Sequence, residues 1–269
     1  MPVKDYIRQR FFPQIWCPGC GHGIVMGGLI RAIELSGLER NEIVLVSGIG
    51  CSSRISGYLD FHTMHTLHGR ALAFATGVKL GRPNLKVIVP MGDGDALAIG
   101  GNHLIHAARR NIDMTAIIMN NNIYGMTGGQ TSPLTPLGKK GSTAVLGTIA
   151  RSFDIVELAK GAGASFVART TAYHVKEMIK LIHEAINHKG FSLVEVMSQC
   201  PTYFGRKNEQ GDPVEMMKWF KENTTPRGSK RKEESPELIE RGVFVNEDRP
   251  EYVLSYMESI MKSDPEKSA

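Results

Sequence analysis

Cysteine is scarce in this sequence: Cys17, Cys20, Cys51 and Cys200 are the four in 269 residues. No apolar signal core precedes them, so a secreted disulfide framework is not expected and the cytoplasm is the expected compartment. No run of about 18 apolar residues occurs, so no membrane-spanning helix is expected. Basic residues are scattered apart from Lys230-Arg231-Lys232, and no aromatic-interleaved basic motif accompanies them, which speaks against a nucleic-acid partner. A net charge of +5 is that of a soluble basic surface. No internal repeat and no strongly low-complexity segment is present.

Apolar residues, by contrast, make up 42% of the chain, and 29 residues are glycine. That suits a sizeable core with many loops. After an irregular lead-in over 1–16, helix-like and strand-like segments alternate. Helices are expected over 21–36, 70–80, 97–110, 153–161 and 173–188, the last with Val175, Met178, Ile179, Ile182 and Ile186 on one face. Strands are expected over 42–47, 86–90, 114–119, 165–169 and 191–197, short and rich in β-branched residues. Such alternation predicts an α/β fold, a mostly parallel sheet with helices on both faces. Beyond Phe204 the pattern breaks, and 205–269 reads as a C-terminal extension, partly irregular, that packs on a partner. Residues 1–204 then form the principal domain.

Two strand ends carry chemistry. Val87-Ile88-Val89-Pro90 leads into Gly92-Asp93-Gly94-Asp95, and the run Met114–Met119 ends in Asn120-Asn121-Asn122. In a parallel sheet both ends lie on one edge, where open α/β sheets bind ligands. A carboxylate and an amide oxygen, flanked by glycines, suit Mg²⁺ holding a diphosphate. The backbone carbonyl of Ile123, just after the Asn turn, is the natural third protein ligand. Taken singly, Asp93 or Asp95 could equally cap a helix and the Asn run could be a turn.

Other candidates are less specific. Cys17-Pro18-Gly19-Cys20 is a short chelating loop. Four thiolates can hold zinc or an iron–sulfur cluster, and a CxxC alone can also be a redox dithiol. The loop Gly48-Ile49-Gly50-Cys51-Ser52-Ser53 presents backbone N–H groups of the kind that meet anions. His62, His65 and His68 fall at every third position, but Gly57 and Gly69 bracket them as loop, and one histidine facing a phosphate or substrate is the better reading than a metal site.

GDG followed by NN at this interval resembles the thiamine diphosphate-binding motif. With IYGMTGGQ, WCPGCG, SGIGCSS, HTLHGR, GDGDALAIGGNH and QCPTYFG in order, residues 12–205 resemble the thiamine diphosphate-binding β subunit of the 2-oxoacid:ferredoxin oxidoreductases. The wording TLHGRALAFATGVKL and CPTYFGRKN is similar to the 2-oxoglutarate type. The resemblance implies the thiamine diphosphate-binding fold, with Asp93, Asn121 and the Ile123 carbonyl on Mg²⁺. It implies diphosphate contacts at Gly94, Asp95 and Thr127, and a thiamine site lined by Ile49, Gly50, Cys51 and Ser52. His68 would lie near the reactive side of the cofactor as the candidate catalytic residue, and Gly125 and Met126 would complete the pocket. Cys17, Cys20, Cys51 and Cys200 would hold a [4Fe–4S] cluster.

The implied activity is coenzyme A-dependent oxidative decarboxylation of 2-oxoglutarate to succinyl-CoA and CO₂, reversible, with electrons passed to ferredoxin. An α subunit is expected to supply the activating glutamate, in an (αβ)₂ assembly. Some archaeal relatives of broad specificity carry a Lys, associated with coenzyme A, where this chain has Gly128, so that contact does not carry over. Alternatives are a pyruvate or broad-specificity 2-oxoacid enzyme, an indolepyruvate type, a thiamine decarboxylase without electron transfer, and a non-catalytic zinc-binding interaction module.

Overall fold

The computed structural model describes residues 3–263, so the outermost parts of the lead-in and of the C-terminal extension lie outside the described residues. The apolar runs form strands β1 (Ile43–Ser47), β2 (His62–His65), β3 (Lys86–Gly92), β4 (Met114–Asn120), β5 (Ile123–Tyr124), β6 (Gln130–Thr131), β7 (Phe166–Thr171), β8 (Phe191–Met197), β9 (Thr224–Pro226) and β10 (Ile239–Asn246). Eight of them make one sheet in the order β2-β1-β3-β4-β8-β7-β10-β9. Every pairing in it is parallel except β10 against β7. β5 and β6 pair separately as a small antiparallel hairpin.

The helices that matter for the core are α1 (His22–Leu35), α2 (Ile55–Tyr58), α3 (Ala71–Gly81), α4 (Asp93–Leu97), α5 (Gly101–Arg109), α6 (Ile155–Gly161) and α7 (Val175–Asn187). They cover both faces of the sheet, because the central strands are apolar at successive positions and so have a hydrophobic side each way. Leu45, Ile88, Ile117 and Val194 turn to one face and pack with Leu29 and Ile33 of α1 and Ile182 of α7. Val44, Val46, Val87, Val89 and Ile118 turn to the other and pack with Leu72 of α3, Leu104 of α5 and Ile155 of α6. Asp154 caps α6 by accepting hydrogen bonds from the Val156 and Glu157 amides, the side-chain oxygen meeting two otherwise unpaired N–H groups.

Two expectations change. The segment 97–110 is not one helix. α4 starts immediately after β3, and the chain breaks at Ala98–Gly100 before α5. Gly100 passes so close to Asp95 that a Cβ there would lie 2.2 Å from the Asp95 carbonyl oxygen, a packing that a continuous helix does not permit. Beyond residue 205 the chain also holds α8 (Pro213–Asn223), α9 (Lys230–Glu234) and α10 (Tyr252–Ser263). Its strand β10 joins the sheet: Val243 and Asn246 pair with Ala168 and Phe166, and Val253 is 1% exposed in the core. The residues read as an appendage therefore complete the sheet.

Parallel strands put their C-terminal ends on one edge. The segments that leave β1, β3, β4 and β8 there are 48–54, 93–97, 121–131 and 198–205; they carry most of the candidate site residues, with His68 following β2 and Cys17 and Cys20 preceding α1.

Candidate functional site

The loops enclose a cavity of about 540 Å³, within the range of cofactor sites. Its lining includes Ile49, Gly50, Cys51, Ser52, His68, Asp93, Gly94, Asp95, Asn121, Ile123, Gly125, Met126 and Thr127. The sequence candidates for cofactor and Mg²⁺ binding thus converge on one space. His22, Tyr124 and Gln130 line it as well, and no spacing pattern singled them out.

Asp93 is 2% exposed. Ser132 Oγ donates a hydrogen bond to its Oδ2, and burial pushes the carboxyl up to about 7. None of the described ion pairs includes it. A buried carboxylate without a cationic neighbour is costly, and a divalent ion bound there would meet that cost. Asn121 is 5% exposed, and its Oδ1 accepts from the Ile123 amide at 3.3 Å, fixing the turn that presents the Ile123 carbonyl. Two acidic or amide oxygens and one carbonyl form an all-oxygen set, the donor type that Mg²⁺ takes. Gly94 packs against Tyr124, where a Cβ would lie 2.2 Å from a ring carbon, and the Tyr124 hydroxyl donates to the Gly94 carbonyl at 3.2 Å.

The strand ends are held in register by a polar chain behind the cavity. Asn120 Nδ2 donates to Glu195 Oε1 at 2.8 Å, and Arg169 Nε donates to Glu195 Oε2 at 2.6 Å. Arg169 also reaches Asp154 at 2.7 Å. Burial pulls the guanidinium pKa down, but Glu195 and Asp154 outweigh it and the net shift is upward, so the cation is retained. Asn122 then turns on Asn120 Oδ1 at 3.0 Å with φ +61°, a left-handed conformation that Asn tolerates.

The cysteines gather beside this cavity. Cys17, Cys20, Cys51 and Cys200 line a second space of about 230 Å³ together with Gly125 and Met126. A Cβ added at Gly125 would lie 3.2 Å from Cys51 Sγ and 4.0 Å from Cys200 Sγ. Burial, reinforced by the neighbouring thiols, raises the Cys20 thiol to about 12 and the Cys51 thiol to about 11. Cys200 is raised chiefly by burial. The CxxC loop is pinned from two sides. Trp16 Nε1 donates to the Cys51 carbonyl at 2.7 Å, and Gln199 Nε2 donates to the Gly19 carbonyl at 3.0 Å. Trp16 and Gln199 flank the cysteines in WCPGCG and QCP, which was the signal that could have found them.

Among the described residues no three His, Cys, Asp or Glu side chains lie close enough to share a single metal ion. Four thiols around one space are a donor set that an iron–sulfur cluster or a zinc ion can use.

His62 and His65 lie on the edge strand β2, while His68 follows it and alone reaches the cavity. Thr127 Oγ1 donates to Gln130 Oε1 at 2.6 Å within the same loop. Gly128, in that loop, has φ +110°, which L side chains rarely adopt.

Residues 48–196 match the family described as thiamine pyrophosphate enzyme, C-terminal TPP binding domain. The 2-oxoglutarate synthase subunit KorB of Methanothermobacter thermautotrophicus is 52% identical over 93% of this chain and 88% of that protein. The chain belongs to the KorB family of thiamine pyrophosphate enzymes. The Methanocaldococcus jannaschii KorB is 49% identical over 94% of each chain. A solved 2-oxoglutarate:ferredoxin oxidoreductase from Magnetococcus marinus, with 2-oxoglutarate, coenzyme A and succinyl-CoA bound, superposes with a TM-score of 0.87 at 33% identity. It covers 98% of this chain and 90% of its own. The fold expected from the resemblance, a mostly parallel α/β sheet with helices on both faces, is the fold observed. No helix among the described residues is long and apolar enough to cross a membrane.

Proposed function

We propose that this chain is the thiamine diphosphate-binding β subunit of a 2-oxoglutarate:ferredoxin oxidoreductase. It serves the reversible, coenzyme A-dependent oxidative decarboxylation of 2-oxoglutarate to succinyl-CoA and CO₂, with an α subunit in an (αβ)₂ assembly and ferredoxin as electron acceptor. The observation that carries the reading is the joining of two spaces at Cys51, Gly125 and Met126: one lined by the motif residues for thiamine diphosphate, the other ringed by four cysteines. The names of the relatives support the substrate.

Asp93, Asn121 and the Ile123 carbonyl would hold Mg²⁺, and Cys17, Cys20, Cys51 and Cys200 a [4Fe–4S] cluster. When bound, thiamine diphosphate supplies the carbon nucleophile that activates a 2-oxo acid for loss of CO₂, and the cluster takes up the electrons. The chain's own residues build the setting. Gly94, pressed on Tyr124, lets a diphosphate approach the backbone at the start of α4. Ser132 fixes the Asp93 carboxylate, and Glu195 fixes the Asn120 end of the turn that aims Asn121. Ile49 and Met126 add apolar surface to the cavity lining. His68 brings a titratable ring nitrogen to its mouth.

Co-purification with the α subunit, followed by acyl-CoA formation from 2-oxoglutarate and from pyruvate, tests the reading. A brown preparation bleached by dithionite and a preference for 2-oxoglutarate are expected. A colourless zinc-loaded protein, or full activity of this chain alone, would refute it, and a preference for pyruvate would replace the substrate.

A further inference from the structure

Asp95 is the second carboxylate of GDGD, and the resemblance casts it as a diphosphate contact. A carboxylate is a poor neighbour for a diphosphate, and its surroundings show another use. Asp95 is 2% exposed. Its Oδ1 accepts from the Gly69 amide at 2.6 Å and from the Ile49 amide at 3.4 Å. The same oxygen lies 3.0 Å from His68 Nδ1. That nitrogen also approaches the Ile49 carbonyl oxygen at 3.4 Å.

These contacts settle where the His68 proton sits without appeal to any titration. Oδ1 receives two backbone N–H groups, so it acts as an acceptor whether or not the carboxyl group carries a proton. The Ile49 carbonyl can only accept. His68 Nδ1 therefore faces two acceptors and must be the N–H. Nε2, which has no hydrogen bond to the described residues, is the nitrogen left for the cavity. Asp95 also clamps the loop after β1, through Ile49, to the loop after β2, through Gly69. The edge of the His68 ring meets Tyr124, with centroids 5.8 Å apart.

We infer that Asp95 is a positioning residue that holds His68 in the Nδ1–H tautomer with Nε2 presented to the bound cofactor and substrate, and that its side chain is not a diphosphate ligand. The inference rests on the proposed function for what His68 faces, but not for the tautomer. Its consequence is that His68 meets the reacting groups as a hydrogen-bond acceptor at Nε2, able to take a proton there, rather than as an Nε2–H donor.

The test uses the full chain with ¹⁵N-labelled histidine, above about pH 8.5, where an ordinary imidazole is neutral. His68→Gln identifies the His68 resonances. In the unsubstituted chain the Nδ1–H tautomer is expected to dominate. Asp95→Ala is expected to lose that dominance. Asp95→Asn keeps an acceptor oxygen, so it is expected to retain the tautomer and to serve as the variant that folds if Asp95→Ala does not. With the α subunit present, Asp95→Ala is expected to lower kcat at least tenfold, with KM and thiamine diphosphate affinity within about threefold of the parent, and Asp95→Asn to restore most of kcat. An Nε2–H tautomer in the unsubstituted chain, or a tautomer unchanged in Asp95→Ala, overturns the inference. So does a tenfold loss of thiamine diphosphate affinity with kcat preserved. Absence of 2-oxoglutarate turnover in the unsubstituted enzyme would instead count against the proposed function, and the tautomer measurement would still stand.

Discussion

The indole Nε1 of Trp16 donates a hydrogen bond to the backbone carbonyl of Cys51 at 2.7 Å, across 35 positions of sequence. It ties the CxxC loop to the loop after β1, the two segments that bring three of the four thiols together. Trp16 is 7% exposed, so the bond is shielded from water. Trp16→Phe keeps an aromatic ring against Tyr58 and removes the donor. A loss of about 1–3 kcal/mol is expected, as for a buried carbonyl left without its partner. Iron bound per chain should fall with it. Chemical denaturation and iron analysis check both, and an unchanged midpoint with full iron content would contradict the role.

Asp93→Asn should separate binding from stability. The substitution removes a buried charge that lacks a cationic neighbour, while an oxygen remains to accept from Ser132. Thermal stability of the chain without added cofactor should hold or rise. Affinity for Mg²⁺–thiamine diphosphate should drop at least tenfold. Calorimetric titration beside a thermal melt reads the two effects, and unchanged affinity would remove Asp93 from the metal site.

Arg169, partly buried, and the buried Glu195 form an ion pair between β7 and β8, at 2.6 Å. Arg169→Met strands Glu195 with only Asn120 as donor, and about 3–5 kcal/mol should be lost. The double change Arg169→Met with Glu195→Met should recover much of that loss, because neither charge is then left alone in the interior. A double change as damaging as the sum of the two singles would show that the charges do not act as a pair.

His188 supplies a pH dependence outside the catalytic edge. Its ring lies tilted against Phe166, its Nε2 lies 2.7 Å from Ser165 Oγ, and burial lowers its pKa from the ordinary 6.5, with Lys86 adding to the drop and Asp113 and Asp248 opposing it. A lowered histidine pKa means the unfolded chain binds the proton more readily. Its contribution to stability is therefore present above about pH 6.5 and is lost as pH falls below it. His188→Gln should flatten the decline in denaturation midpoint between about pH 6.5 and 5. An identical slope in both proteins would remove His188 as its source.

The catalytic edge was legible because its chemistry sits in short, local signals. β3, β4 and β8 are largely apolar runs, and the loops that follow them bring in Asp93, Asn121 and Cys200. What holds that edge was not legible. The donation from Trp16 to Cys51 and the Asn120–Glu195–Arg169 chain cross between distant segments, and such contacts leave no spacing pattern. The direction of the Asp95 side chain was not legible either, because it depends on how Gly69 and Ile49 fold over it. β10 escaped notice for a local reason. Gly242, at φ +125°, and the shift in register between Val243 and Val245 interrupt its alternation, and charged residues surround it.

The antiparallel entry of β10 beside β7 sets an order of events during synthesis. The ribosome delivers all four thiols and both candidate Mg²⁺ side-chain ligands once Cys200 has emerged, before β10 exists. Until β10 arrives, β7 presents a bare row of backbone donors and acceptors, the kind of edge that recruits foreign strands. The nascent chain thus carries all four thiols before it is protected against self-association. Slow release of the last segment would favour aggregation over assembly.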